Sequence, residues 1–404
     1  MNNTSAKDEP ERKLERGSTK MNFELTAEQI AIKNAVKDFC AKEFKPELAL
    51  ELDRKEEFPM DLYKAAAKLG FTSLSFPQEF GGQGIGLLET CLVIEEMCRA
   101  DSSLGVAVSS GNFGSEFLIT LGTKEQKDKY LPPLCKGDTI SAACFTEPNV
   151  SGSDINKMET TATKYGNEWW INGTKTFITN ATTADWMLVL TQTDTKIRPT
   201  HRGETLFIVD KGVQGLETSK LHDKMGIRCS VTGEVRFDNV KVTDPSIVGE
   251  LNKGFYYSME FFDKTRVGVA AQAIGMAQGA WEIAFKYSKQ REAFGQPLLQ
   301  HEAIGIGLAE AMTKIEAARW LMYRAAWLVD AGKLDPMITA MAKHYAARVA
   351  MEVTDFSIQV LGGYGYLGDY RVERYHRDAK ITEIYEGTSE IQKLTVLKYL
   401  LRKF

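Results

Sequence analysis

Apolar residues recur at helical spacing over residues 22–136. Ala31, Ala35, Phe39 and Cys40 share one face of a first helix. A second helix is predicted over 61–69, stopping at Gly70, and a third over 89–99. Residues 121–126, Leu-Gly-Thr-Lys-Glu-Gln, read as a helix end followed by a cap. The period changes at about Thr139. Residues 169–178 read as two strands joined at an Asn172-Gly173 turn, with further strands over 186–190, 206–209 and 233–237. Irregular loops such as 194–203 separate them, a spacing that suggests a small β-barrel or sandwich. After Gly254 long helical patterns return over 259–289, 301–331, 336–361 and a C-terminal segment, enough for a four-helix bundle. The predicted class is α+β and multidomain. An N-terminal helical domain spans 22–138, a β domain 139–255 and a C-terminal helical bundle 256–404.

Composition narrows the partners. Of the 404 residues 26% are charged, both signs are mixed and the net charge is −4, so no basic field for nucleic acid stands out. No apolar run approaches the roughly 18–20 residues a membrane span needs. The six cysteines lack C-x-x-C spacing, which suggests neither a zinc site nor a disulfide framework and fits a reducing compartment. Residues 1–21 form a polar stretch with several acids and no apolar core. They are neither a secretory signal nor a good transit peptide, and read as a disordered extension with Met21 an alternative start. Residues 81–86 form a glycine-rich loop. Residues 363–368 match G-x-G-x-x-G by letter but follow a helix rather than a strand, so they read as a helix-to-helix turn. Glu373-x-x-His376 occurs once, whereas a di-iron bundle needs two such motifs, so no metal site is predicted.

The stretch 377–392 combines a helix end with a helix start. Ile381 and Ile384 continue a helix from Val372, and Gly387 can take the left-handed conformation that closes it. Ser389 and Gln392 form an S/T-x-x-E/Q pair, the mark of a new helix N-terminus. Glu386 thus sits at a break between two helices. It is either an ordinary turn glutamate or a general base facing a pocket.

The run 384–392, Ile-Tyr-Glu-Gly-Thr-Ser-Glu-Ile-Gln, resembles the C-terminal signature of the acyl-CoA dehydrogenases. In that family the matching glutamate removes the α-proton of an acyl-CoA thioester while the β-hydride passes to FAD. The resemblance extends over residues 22–404. Phe145-Thr146-Glu147-Pro148 and the loop to Ser153 resemble the N-terminal signature, which implies flavin contacts for Phe145 and Thr146 and a CoA contact for Ser153. One residue more than the usual spacing separates Thr146 from Ser153. Phe177 and Thr179 match the strand behind the isoalloxazine ring, with Phe in place of the more usual Trp. Asp263 and Arg266 share a helix face and match positions that bind CoA; read alone, they are an exposed salt bridge. Relatives that carry their base on this helix have a glutamate where Lys264 and Thr265 stand, which leaves the role to Glu386.

Arg291, Phe294 and His301 resemble the loop that reaches the FAD of a neighbouring subunit, a role that suits the arginine fork. Gln359, Gly362 and Gly363 match a second strip for that FAD, and Thr388 and Glu390 a strip beside Glu386. The resemblance therefore implies a shared FAD and a dimer or dimer of dimers, a homotetramer. Tyr385, Gly387, Gly105 and Ser109 are implied in the substrate site. Gly105 replaces the arginine of glutaryl-CoA-specific relatives and, with Ser109, is expected to leave room at the end of the acyl tube. The expected activity is α,β-dehydrogenation of a short-to-medium, branched or cyclic acyl-CoA in fatty or carboxylic acid degradation. Hydrogen bonds from the Glu386 N–H and a flavin hydroxyl would hold the thioester carbonyl. Electrons would pass to an electron-transferring flavoprotein. An enoyl-CoA reductase or a non-catalytic flavoprotein scaffold are the alternatives. A bacterial cytoplasm is the expected compartment, with a mitochondrial matrix as the alternative.

Overall fold

The computed structural model describes residues 23–154 and 157–403; the extension expected over 1–21 lies outside the described residues. Thr26 opens α1 (Ala27–Glu43) with a capping box: its hydroxyl accepts from the Gln29 N–H at 3.2 Å and the Gln29 side chain accepts from the Thr26 N–H at 2.9 Å. Val36, Phe39 and Cys40 form its buried face. Next comes α2 (Pro46–Lys55), which the hydrophobic pattern does not announce because it buries only Ala49 and Asp53. α3 (Met60–Lys68), α4 (Leu87–Ala100), α5 (Ser102–Ser109), α6 (Ser115–Leu121) and α7 (Lys124–Lys136) complete the first part. Thr123 caps α7 with a second capping box, at the position its sequence predicts.

The middle part is one eight-stranded sheet of β1 (Ser141–Cys144), β2 (Thr161–Tyr165), β3 (Glu168–Thr179), β4 (Trp186–Gln192), β5 (Glu204–Asp210), β6 (Leu216–Lys220), β7 (Thr232–Thr243) and β8 (Ile247–Val248). Its order is β6-β7-β3-β2-β4-β5-β8, and β1 joins β4 in parallel. β4 is buried throughout because both its faces are covered. Leu188 and Leu190 pack towards Phe117, Leu131 and Leu134 of the helical part, while Met187 and Val189 pack with Ile171, Phe207 and Val235 inside the sheet.

One expectation fails here. Residues 169–178 are not a hairpin: β3 runs without a turn, and Asn172-Gly173 is an irregularity in its pairing with β7. Gly173 has φ +148°, and a Cβ there would sit 2.7 Å from Thr160 Cα. The glycine serves a close approach of neighbouring backbone, while the Asn172 side chain accepts from the Asn239 N–H at 2.8 Å.

α8 (Gly254–Gln290) begins the last part. The hairpin β9 (Glu292–Ala293) and β10 (Gln296–Pro297) follows, then α9 (Glu302–Asp330), α10 (Pro336–Leu361), α11 (Val372–Ala379) and α12 (Ser389–Lys403). Residues 362–370 form two short 3-10 turns, so the G-x-G-x-x-G letters are the expected helix-to-helix turn. The bundle core is rich in alanine and takes in Cys91, Leu92 and Cys98 of α4. A buried Glu95–Arg319 pair, 2.8 Å, also ties α4 to α9. The first and last parts are thus separate in sequence but share a core. Both ends of the E-x-x-H motif have other partners: Glu373 pairs with Arg377 at 2.7 Å and His376 bonds Thr354 at 3.0 Å. Among the described residues no helix is long and apolar enough to cross a membrane.

Candidate active site

α11 ends at Ala379, a single 3-10 turn follows, and the chain then reverses through Glu386 and Gly387 into α12. Both reversing residues are left-handed, with φ of +50° and +90°. For glycine this conformation is free of steric cost. For glutamate it is uncommon, and such strain persists only where surrounding contacts over-determine it. The contacts are present. The Lys343 ammonium of α10 donates to the Gly387 carbonyl at 2.6 Å. Gln392 Nε2 donates to the Glu386 and Gly387 carbonyls, both at 3.0 Å.

The predicted cap therefore shifts by one residue. Thr388 accepts the Ile391 N–H at 3.3 Å, whereas the Ser389 hydroxyl is buried with no partner. Gln392 serves the turn's carbonyls rather than a capping box.

The Glu386 carboxylate points at α8. Thr265 donates to its Oε2 at 2.7 Å. Burial pushes the Glu386 carboxyl above its ordinary value, while the Thr265 hydroxyl and the charges of Arg266 and Lys343 pull it down. A carboxyl raised in this way is a stronger base than a solvated one. The same charge acts back on Lys343: burial drives its amine down to about 8, against the pull of Glu386.

Other expected residues fall into distinct places. Arg266 is not an exposed salt-bridge partner. Its side chain is only 9% exposed, pairs with Asp263 at 2.9 Å, donates through Nε to the Phe262 carbonyl and leaves Nη1 without a partner. Its charge acts on Glu386. Tyr385 packs on the bundle core and donates its hydroxyl to Gln272. Gly105 is fully inside the protein, and a Cβ there would meet the backbone of Met97 and Cys98 at about 2.7 Å or less. Its smallness serves the packing of α5 on α4. Ser109 spends its hydroxyl on the Gly105 carbonyl at 2.7 Å.

The expected flavin set also divides. The Phe145 ring belongs to an aromatic cluster with Phe117, Phe261 and Phe262, and its carbonyl accepts from Lys175 Nζ at 3.0 Å. Thr146 is half-buried, and its carbonyl accepts from Thr176 N–H at 2.8 Å. That loop makes a turn with Pro148 and Asn149 exposed, and Ser153 is exposed beyond it. Phe177 is 69% exposed with φ +57° at a bulge in β3, and is no core residue; Thr179 beside it is half-buried. Arg291, Gln359, Gly362 and Gly363 converge on one cavity of about 490 Å³ with Tyr287, Tyr364 and Leu367. A Cβ on Gly362 or Gly363 would touch no protein atom. Phe294, 97% exposed, tips the hairpin that His301 braces from the Ala293 carbonyl at 3.0 Å. Thr388 and Glu390 line a separate cavity with His344, Arg348, Lys380 and Lys393.

Sequence reading passed over Lys343 and Gln272. Lys343 did leave a signal: it falls on the buried stripe of α10 with Thr339, Ala346 and Ala350, where a lysine needs a reason.

Two helical parts flank a sheet, and a largely desolvated acid stands where the chain reverses between α11 and α12, an architecture that this chain shares with a family of oxidoreductases. The chain belongs to the acyl-CoA dehydrogenase family, whose N-terminal domain matches residues 26–138, middle domain 142–240 and C-terminal domain 252–401. It is 42% identical over 383 residues to a short-chain-specific acyl-CoA dehydrogenase of Clostridium acetobutylicum, covering 95% of this chain and all of that one. It is 40% identical to a 3-(aryl)acrylate reductase of Clostridium sporogenes, covering 94% and 100%. The butyryl-CoA dehydrogenase of Megasphaera elsdenii superposes with a TM-score of 0.90 at 39% identity, covering 95% and 100%.

Proposed function

We propose that this protein dehydrogenates a short-to-medium acyl-CoA between its α and β carbons, with Glu386 as the base. The observation that carries this reading is the Glu386 carboxyl itself, half-buried as a residue but desolvated enough to be raised, and held by Thr265 at the head of a strained turn. The α-proton of a thioester is weakly acidic, and a base desolvated beside it is better matched to it than a solvated carboxylate. Glu386 accepts that proton, and the nearby Arg266 and Lys343 charges favour its ionised form against the burial that raises it. The left-handed turn frees the Glu386 N–H from the helix ladder, which suits it to hold the thioester carbonyl.

FAD fits the residues present. Gly362 and Gly363 leave an open cradle that a Cβ would project into, Arg291 adds a planar fork for a pyrophosphate, and Phe177 offers an exposed ring face. When bound, FAD supplies the acceptor for the β-hydride. Arg291, Gln359, Gly362 and Gly363 lie on one cavity and Thr388 and Glu390 on another, and this split favours a flavin shared between two protomers. The exposed Phe294 hairpin favours the same dimer, or dimer of dimers. Reoxidation by an electron-transferring flavoprotein in a bacterial cytoplasm completes the reading.

A second reading, reduction of an enoyl-CoA on the same site, is favoured by the 40% identity to a reductase. An anaerobic titration with saturated and unsaturated acyl-CoAs, following the flavin spectrum, tests both. Bleaching by a saturated thioester supports dehydrogenation. Reoxidation of reduced enzyme by enoyl-CoAs without such bleaching supports the reductase. No bound flavin, or no response to any thioester, refutes both.

A further inference from the structure

The wall near Glu386 carries a second acid. Glu116 is the second residue of α6, between the buried Ser115 and Phe117. Phe117 stacks on Phe261 of α8 at 4.4 Å, and Phe113 meets the same ring edge-on at 5.6 Å. Phe261 lies one turn before Thr265, the hydroxyl that holds Glu386. Glu116 therefore stands beside an aromatic cluster that packs next to the base's helix, and the charge of Glu386 reaches it.

Its carboxyl is held by backbone N–H groups, its own and that of Gly114, rather than by a cation. Oε2 accepts the Gly114 N–H at 3.1 Å, and no basic side chain pairs with it among the described residues. Burial, with Glu386 adding its charge, pushes the group up to about 7. Glu116 is nonetheless half-buried rather than sealed, so it opens onto space.

We propose that Glu116 is a specificity-determining residue of the acyl pocket and selects thioesters whose acyl chain carries a hydroxyl beyond the β-carbon. This rests on the acyl-CoA reading above. The α- and β-carbons are committed to the base and to the hydride acceptor, so a group that meets Glu116 stands further along the chain. A purely apolar chain would strip water from the carboxyl and return no hydrogen bond, and sites built to bond a hydroxyl reject analogues without one. A hydroxyl donates to the ionised carboxyl and accepts from the neutral one, so it pairs with Glu116 on either side of neutrality. A terminal carboxylate would instead meet a like charge.

The test compares 4-hydroxybutyryl-CoA with butyryl-CoA, and 5-hydroxypentanoyl-CoA with pentanoyl-CoA, on the intact flavin-loaded enzyme. The readouts are the second-order rate of anaerobic flavin reduction and, independently of direction, the affinity for the matching enoyl-CoAs from the flavin spectral shift. The native enzyme is expected to prefer the hydroxylated member by at least about tenfold. Glu116→Leu should reverse the preference, and Glu116→Gln, which still donates and accepts, should keep most of it. Thermal melting checks that each variant is folded. Native preference for the unsubstituted chains, or an unchanged ratio in Glu116→Leu, overturns the inference while leaving the dehydrogenase reading intact. If no thioester of any kind perturbs the flavin, the parent reading falls and takes this one with it.

Discussion

Lys343→Met separates a positioning lysine from a merely structural one. The ammonium donates to the Gly387 carbonyl at 2.6 Å and its charge lowers the proton affinity of Glu386. Methionine keeps the length and apolar stem but removes both the donor and the charge. A hydrogen bond from a charged donor contributes about 1.5–3 kcal/mol. Gln392 Nε2 still serves the same carbonyl, so that oxygen is not orphaned and the expected net loss at the turn is about 1–2 kcal/mol. If all of it appears in the transition state, flavin reduction slows about five- to thirtyfold. Loss of the nearby positive charge also raises the Glu386 pKa, so the acidic limb of the rate profile moves to higher pH. Stopped-flow flavin reduction over about pH 5–9 measures both effects. A slower rate with an unmoved limb would reduce Lys343 to a packing role. An unchanged rate and limb would refute the coupling between Lys343 and the base.

Glu386→Gln keeps the shape of the turn but removes the base, so flavin and ligand should still bind while flavin reduction is lost; normal reduction would remove Glu386 from the mechanism. Thr265→Val deletes the hydroxyl that bonds Glu386 Oε2 and lowers its pKa, and should shift the acidic limb upwards with little change in melting temperature; a downward shift would contradict the assigned role. Glu204, buried with both oxygens unpartnered, is raised from 4.5 to about 8. Because the folded state holds that proton more tightly than the unfolded one, stability should fall as pH rises from about 4.5 to about 8. Glu204→Gln should flatten this slope in denaturant titrations, and an unaltered slope would show that the penalty lies elsewhere.

The sequence alone determined the broad order of helices, strands and helices, because long periodic stretches such as α8, α9 and α10 bury one stripe and display the other. It also marked the break at Glu386, since Gly387 and the polar cluster after it are local signals of a helix end and a helix start. Only the tertiary structure decided what those signals do. The Asn172-Gly173 pair has the letters of a turn, yet the crowding of Thr160 against Gly173 makes it a bulge in one strand. Gly105 is small on account of the α4 backbone behind it, and Arg266 is buried and paired with Asp263 because α8 turns it inward. Lys343, Thr265 and Glu116 lie on three elements far apart in the chain, and no spacing rule links them to Glu386. Local propensity can place a carboxylate at a helix junction. The charges that act on that carboxylate come from residues more than 40 positions away in the chain, Lys343 and Arg266, brought beside it by packing.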